Sequence, residues 1–483
     1  MKPVGIAAGV LSLLCAAPAL AAPCHNLGSL RIDGLTLLSV TPIPTGEFRP
    51  GPVTGPAPAG IALPAHCRVR AVATPVRGSR IGFELWLPER GWNGRFKMYG
   101  NGGYSSTLPL GQMAQGLKGG YAVAGTDTGH QGDDPEFAVG LPESIADWGH
   151  RAVHQTVLHS KALLYRFYGR PAAHAYFEGC STGGHQALMS AQRYPRDFDG
   201  IIAGAPGNNR TRLNIGFLWQ FVANRRPGTS DPILTAAKLP LLTKAALDQC
   251  GTPAERSQGY LENPFSCRVD LTKLQCGSGD EPGHCLTAEE GAAAARLYRG
   301  ATNPRTGARL YPPWLPGSER GWAGYWADPR DQTMPARSGF FRFWAFNDPR
   351  WDWRSFDFDQ AVRRIDPALA VRIDAVDPDL SAFARGGGRL ILYHGLADPV
   401  VSPWDLRAYY DAVDRSSMGR AASFSRLFFA PGMGHCGGGP TPDAAATQAA
   451  LEQWVEQGRA PTHLTAGARN LCPYPAIGGA CRP

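Results

Sequence analysis

Alternation of apolar and polar positions sets in at Cys67. The stretches Arg68-Val69-Arg70-Ala71-Val72-Ala73 and Ile81-Gly82-Phe83-Glu84-Leu85-Trp86-Leu87 repeat with a period of two. That period predicts two half-buried antiparallel strands. The pattern then changes to short apolar runs bounded by glycine: Phe96 to Tyr99, Tyr121 to Ala124, Ala175 to Phe177, and Ile201 to Ala203. Helical stretches, His150 to Tyr168 and Gly183 to Tyr194, separate the later runs. Strands alternating with helices predict a mostly parallel sheet with helices on its faces, an α/β architecture.

The pattern stops after Pro206 and resumes at Arg389 to Tyr393 and Ser425 to Phe429. Between them lie four cysteines, many Trp and Phe, and little alternation. The expected layout is a core built from residues 22–206 and 381–483, interrupted by an inserted domain at 207–380. Residues 22 to about 60 carry Pro42, Pro44, Pro50, Pro52, Pro56 and Pro58. They read as an extended arm stapled by Cys24 and Cys67, not as a packed unit.

At 483 residues with 43% hydrophobic and 18% charged positions, the chain is globular and rich in loops. The net charge of +8 does not indicate a nucleic-acid partner. The basic residues are mostly Arg, scattered in runs no longer than two, whereas nucleic-acid binders concentrate charge in stripes. Residues 1–21 have a basic start, an apolar run from Val4 to Leu14 and an Ala19-Leu20-Ala21 exit, the pattern of a secretory signal peptide. Val4 to Leu14 is too short for a transmembrane anchor, and no later stretch is long and apolar enough. The protein is expected to be periplasmic or extracellular. Its ten remaining cysteines imply disulfides, and none has zinc spacing.

Gly179-Cys180-Ser181-Thr182-Gly183 fits G-x-S-x-G between a strand and a helix, the setting of a nucleophile elbow. A serine hydroxyl needs a base, and the base an orienting acid. In the order Ser, acid, His, the candidates are Asp398, in a loop after the strand ending at His394, and His435, in the glycine-flanked loop Gly432-Met433-Gly434-His435-Cys436-Gly437. His394 itself reads as a strand-end residue bonded to backbone. Cys180 precedes the serine and Cys436 follows the histidine. A bridge between them would pin the two as neighbours. The N–H of Thr182 is the first oxyanion donor. The second is expected from Gly102 or Gly103 in the loop Gly100-Asn101-Gly102-Gly103.

Cys180-Ser181, Asp398 and His435-Cys436 resemble the CS-D-HC signature of the tannase and feruloyl esterase family, which includes mono(2-hydroxyethyl) terephthalate hydrolases. The resemblance continues through Arg193-Tyr194-Pro195, Phe198 to Pro206, Asn347 to Trp351 and Phe356 to Asp359. It implies an α/β-hydrolase core with a large lid inserted before the acid. It also implies the bridges Cys24–Cys67, Cys180–Cys436, Cys250–Cys267, Cys276–Cys285 and Cys472–Cys481. Relatives carry a calcium loop, D-x-x-D-G-x-x-D-G, between the cysteines that here are Cys250 and Cys267. Here Gly251, Ala254 and Gln258 stand where the aspartates would be, so no calcium and no other cofactor is expected.

The expectation is a secreted serine esterase acting on small-molecule esters of aromatic acids such as gallate, ferulate or a terephthalate monoester. The alternatives are aliphatic or polyester-derived esters, or a binding protein without turnover. The lid aromatics Trp314, Trp322, Trp326, Phe340, Phe341, Phe343, Trp344, Phe346, Trp351 and Trp353 divide between lid core and an aromatic slot. Neither a nucleic acid nor a membrane is expected as partner, and the oligomeric state is left open.

Overall fold

A computed structural model of the chain describes residues 22–49, 59–281, 283–327, 333–478 and 481. The signal peptide expected over residues 1–21 lies outside the described residues.

The sheet has nine strands: β1 (Leu35–Ile43), β2 (His66–Ala73), β3 (Ile81–Pro88), β4 (Arg95–Tyr99), β5 (Ala122–Thr126), β6 (His174–Cys180), β7 (Gly200–Gly204), β8 (Arg389–Gly395) and β9 (Ser425–Ala430). Their order is β1-β2-β3-β5-β4-β6-β7-β8-β9. The first three strands are antiparallel to their neighbours, and the six from β5 to β9 run parallel. This is the large mixed sheet of an α/β hydrolase.

Register sets where the loops emerge. Tyr99 pairs with Glu178, Cys180 with Gly204, and Gly395 with Ala430. The carboxyl ends of β4, β6, β8 and β9 therefore open onto one edge, as parallel sheets arrange their ligand sites.

Two expectations are corrected. The arm is a packed unit over part of its length. Leu35–Ile43 is the edge strand β1, paired with β2 from Leu35–Ala73 to Ile43–His66, and Leu35, Leu37 and Val40 pack on the main core. Pro42 obscured it, because a proline argues against a strand except at an edge, where β1 lies. Strand β3 is buried almost throughout instead of half-buried. It lies between β2 and β5 with both faces covered, and its Glu84 is held by Arg68 at 2.7 and 2.9 Å and by Trp86 Nε1 at 2.8 Å.

Among the described residues, 205–388 add no strand to this sheet. Their helices Arg210–Ala223, Leu239–Cys250 and Ala288–Arg299 surround a separate core that includes Leu218, Phe221, Leu297, Trp314 and Phe341. Helix Ala288–Arg299 starts on a capping box, in which Thr287 and Glu290 satisfy each other's backbone N–H groups.

Candidate active site

Ser181 stands at the turn between β6 and the helix Thr182–Arg193, with φ 61° and ψ −117°. This is a conformation a side-chain-bearing residue adopts only when its surroundings hold it there. Its N–H donates to Gly204 at 3.0 Å, and its carbonyl accepts from His185 at 3.0 Å and Gly207 at 3.2 Å. The turn closes because Gly179 lacks a side chain: a Cβ there would lie 2.5 Å from the carbonyl carbon of Gly183.

Asp398 is fully buried in the loop after β8. One carboxylate oxygen accepts from the N–H groups of Val400 (2.7 Å) and Val401 (3.0 Å). The other accepts from His435 Nδ1 at 2.8 Å and His394 Nε2 at 3.1 Å. Burial pushes this carboxyl up, but the charge of His435 and the bonds from His394 and His435 outweigh it. Asp398 is held well below the usual carboxylate range and is ionised at neutral pH.

His394 is bonded to backbone at its strand end, as expected, and reaches Asp398 as well. Its Nε2 faces two acceptors, Asp398 and the Val401 carbonyl, both at 3.1 Å, so that nitrogen carries the proton. The signal was the four-residue spacing from His394 to Asp398, which a tight loop after a strand folds back onto itself.

Cys180 and Cys436 are joined, with Cα atoms 5.9 Å apart across 256 positions of sequence. Four further bridges join Cys24 to Cys67, Cys250 to Cys267, Cys276 to Cys285 and Cys472 to Cys481. Ser181 and His435 line one cleft of about 510 Å³ together with Gly102, Gly103, Tyr325 and Arg337. Asn101 braces the glycine loop: its side-chain amide donates to Thr126 at 2.8 Å and Thr107 at 3.1 Å, and its N–H donates to Gln186 at 3.0 Å. Among the described residues, no acceptor engages the N–H groups of Gly102, Gly103 or Thr182.

A family model described as tannase and feruloyl esterase matches residues 67–477. The chain belongs to this family. It is 36% identical to an uncharacterized esterase of Xanthomonas campestris, over 97% of this chain and 90% of that one. It is 32% identical to the mono(2-hydroxyethyl) terephthalate hydrolase of Piscinibacter sakaiensis, over 86% and 82%. The crystal structure of feruloyl esterase B from Aspergillus oryzae superposes with a TM-score of 0.84 at 27% identity, covering 94% of this chain and 95% of that one. Like its relatives in the tannase and feruloyl esterase family, the chain is a carboxylic ester hydrolase.

This family member packs most of the aromatics between Trp314 and Trp353 into the second core. Trp314, Trp322, Phe340, Phe341, Phe343, Trp344 and Trp353 are buried there, with Phe346 and Trp351 packed against them. The side chain of Trp326 lies outside the described residues. The same segment instead presents to the cleft Tyr325 and Arg337, neither of which the sequence pattern marked.

The stretch after Cys250 forms the helix Pro253–Gln258 with a capping box. Both oxygens of Glu255 are engaged by backbone, the N–H of Thr252 at 2.8 Å and that of Glu262 at 2.6 Å. With no aspartate between Cys250 and Cys267, Glu255 occupied by backbone and Glu262 held by Arg469 at 2.7 Å, this stretch does not fit a calcium ion. Among the described residues, no helix is long and apolar enough to cross a membrane.

Proposed function

We propose that the chain is an exported serine esterase for small esters of aromatic acids, working through Ser181, His435 and Asp398 without a metal. The observation that carries this reading is the 2.8 Å bond from His435 Nδ1 to Asp398, in a loop bridged to the residue beside Ser181. That bond fixes the proton on Nδ1 and leaves Nε2 free to act as the base.

His435 Nε2 takes the Ser181 proton as the oxygen attacks the ester carbonyl. The carbonyl electron pair moves onto oxygen, where the N–H groups of Thr182 and of Gly102 or Gly103 receive it. Collapse expels the alcohol, which takes the proton from His435, and leaves an acyl-enzyme. Water then repeats the sequence with His435 as base, releasing the acid and restoring Ser181. Asp398 orients the imidazole and stabilises the imidazolium formed in each half.

The aromatic acyl class rests on the names of the relatives and on Tyr325 in the cleft wall. Arg337 in the same wall favours an acyl group that also carries a negative charge. Export rests on the leader pattern and on five bridges, which persist in oxidising compartments. A fluorophosphonate probe tests the nucleophile: it should label Ser181, and Ser181→Ala should abolish labelling and turnover. A panel of ferulate, gallate, terephthalate monoester and short aliphatic esters tests the acyl class. Preference for the aliphatic esters would overturn the aromatic assignment and leave the nucleophile standing.

A further inference from the structure

The helix Arg210–Ala223 opens with an arginine whose side chain turns back to the elbow. Arg210 is 5% exposed, and its Nη2 donates to Thr182 Oγ1 at 2.8 Å. The Thr182 hydroxyl in turn donates to the carbonyl of Gly103 at 2.8 Å. The direction of this chain is forced: a guanidinium has only donors, a carbonyl only accepts, and the hydroxyl between them does one of each.

Arg210 is otherwise poorly matched to its surroundings. Its guanidinium carbon lies 5.2 Å from the Trp148 ring, and its Nε is buried without an acceptor among the described residues. Burial, opposed by Tyr104 and Asp374 and aided by Arg337, lowers its pKa to about 10, so it stays charged at neutral pH. A buried cation with no carboxylate in contact among the described residues is costly to keep for stability alone.

Its position gives a reason. Thr182, next to Ser181, and the Gly102-Gly103 loop in the cleft wall carry the N–H groups proposed above as the two oxyanion donors. The Thr182 hydroxyl ties these two loops together, and Arg210 fixes the rotor by occupying its lone pair. The same cation is one hydroxyl removed from Thr182, whose N–H is a proposed oxyanion donor, so its field would favour the transition state over the bound ester.

We propose that Arg210 and the Thr182 hydroxyl are positioning residues of the oxyanion hole, the chain Arg210–Thr182–Gly103 locking together the two loops whose N–H groups receive the developing charge. This rests on the Ser181 mechanism above. Neither side chain touches substrate. Their loss shows as a fall in kcat with KM held, whereas a purely structural role shows only in stability.

The test uses the mature protein and a p-nitrophenyl ester that it hydrolyses, at a temperature where every variant is folded by circular dichroism. Thr182→Val keeps the backbone N–H and the side-chain shape but breaks the chain. It should lower kcat by about 10- to 100-fold, short of the loss of a direct oxyanion donor, with KM within about threefold. Thr182→Ser restores the hydroxyl and should return kcat to within about threefold of the parent. Arg210→Met should fall with Thr182→Val, with Arg210→Lys between Met and the parent. The Arg210→Met, Thr182→Val double variant should be little worse than either single, because both cut one chain. If Arg210→Met does not fold, the Val and Ser pair decides alone. A folded Thr182→Val with parental kcat, or a Thr182→Ser as impaired as Val, overturns the proposal while fluorophosphonate still labels Ser181. A parent that resists the label and a Ser181→Ala variant that keeps activity overturn the Ser181 mechanism, and this chain of contacts with it.

Discussion

Replacing Cys180 and Cys436 together by alanine separates what the bridge does for folding from what it does for chemistry. The bridge closes a loop of 256 residues. Loop-closure entropy for that length amounts to about 5.5 kcal/mol at 25 °C, an upper figure, since bridges usually deliver about 2–4. The nine-residue loops of Cys276–Cys285 and Cys472–Cys481 give about 2.6 kcal/mol by the same relation. A chain of this size unfolds with an entropy of about 1 kcal/mol per kelvin, so the full 5.5 kcal/mol would move Tm by only about 5–6 °C. The kinetic effect should be larger in proportion. Ser181 keeps its bonds to Gly204, His185 and Gly207, and His435 keeps Asp398, but nothing covalent then sets one loop against the other. A misplacement of about 1 Å costs about 100-fold. We expect kcat to fall about 10- to 100-fold at a temperature at least 20 °C, as a rough margin, below Tm, with KM nearly unchanged, because alignment matters most in the transition state. The assay is steady-state hydrolysis of a p-nitrophenyl ester beside calorimetric melting. A variant with the lowered Tm and parental kcat would refute the alignment argument and leave the bridge a staple of the fold.

Asp398→Asn removes the acceptor that fixes the His435 tautomer and should lower kcat by about 10⁴-fold with little change in KM, measured by steady-state kinetics. Burial pushes Asp405 up to about 7, against the bond from Asn209, so the unfolded chain gives up this proton at lower pH than the folded chain does. Its contribution to stability is therefore fully present below about pH 4 and is lost as pH rises to 7. Asp405→Asn should match the parent in Tm at pH 4 and exceed it by a margin that grows to pH 7 and then levels; melting at a series of pH values checks this, and an equal Tm at pH 8 would contradict it. Chelation by EDTA should leave Tm and activity unchanged, because Glu255 is committed to backbone N–H groups; a stoichiometric calcium by elemental analysis, with a fall in Tm on its removal, would show that carbonyl oxygens supply the site instead.

The sequence by itself determined the class of fold and supplied the candidates for the local chemistry. A period of two, then glycine-bounded apolar runs separated by helices, dictates a mixed sheet, because each pattern can bury its apolar face in only one kind of element. The elbow was legible in five residues, since its strained Ser181 and the close approach of Gly179 to Gly183 depend on neighbours in sequence. Asp398, His435 and the cysteines beside the site were legible as candidates because each lies at a strand end or next to another candidate. What the tertiary structure alone decided are contacts between segments far apart in the chain. Pairing with β2 turned the proline-marked arm into an edge strand, and a separate core drew in the lid aromatics. The second hydrogen bond to Asp398, the arrival of Tyr325 and Arg337 at the cleft, and the reach of Arg210 to Thr182 all depend on where loops from different strands come to rest. Periodicity records which face of an element is buried; it carries no record of which distant side chain lies against that face.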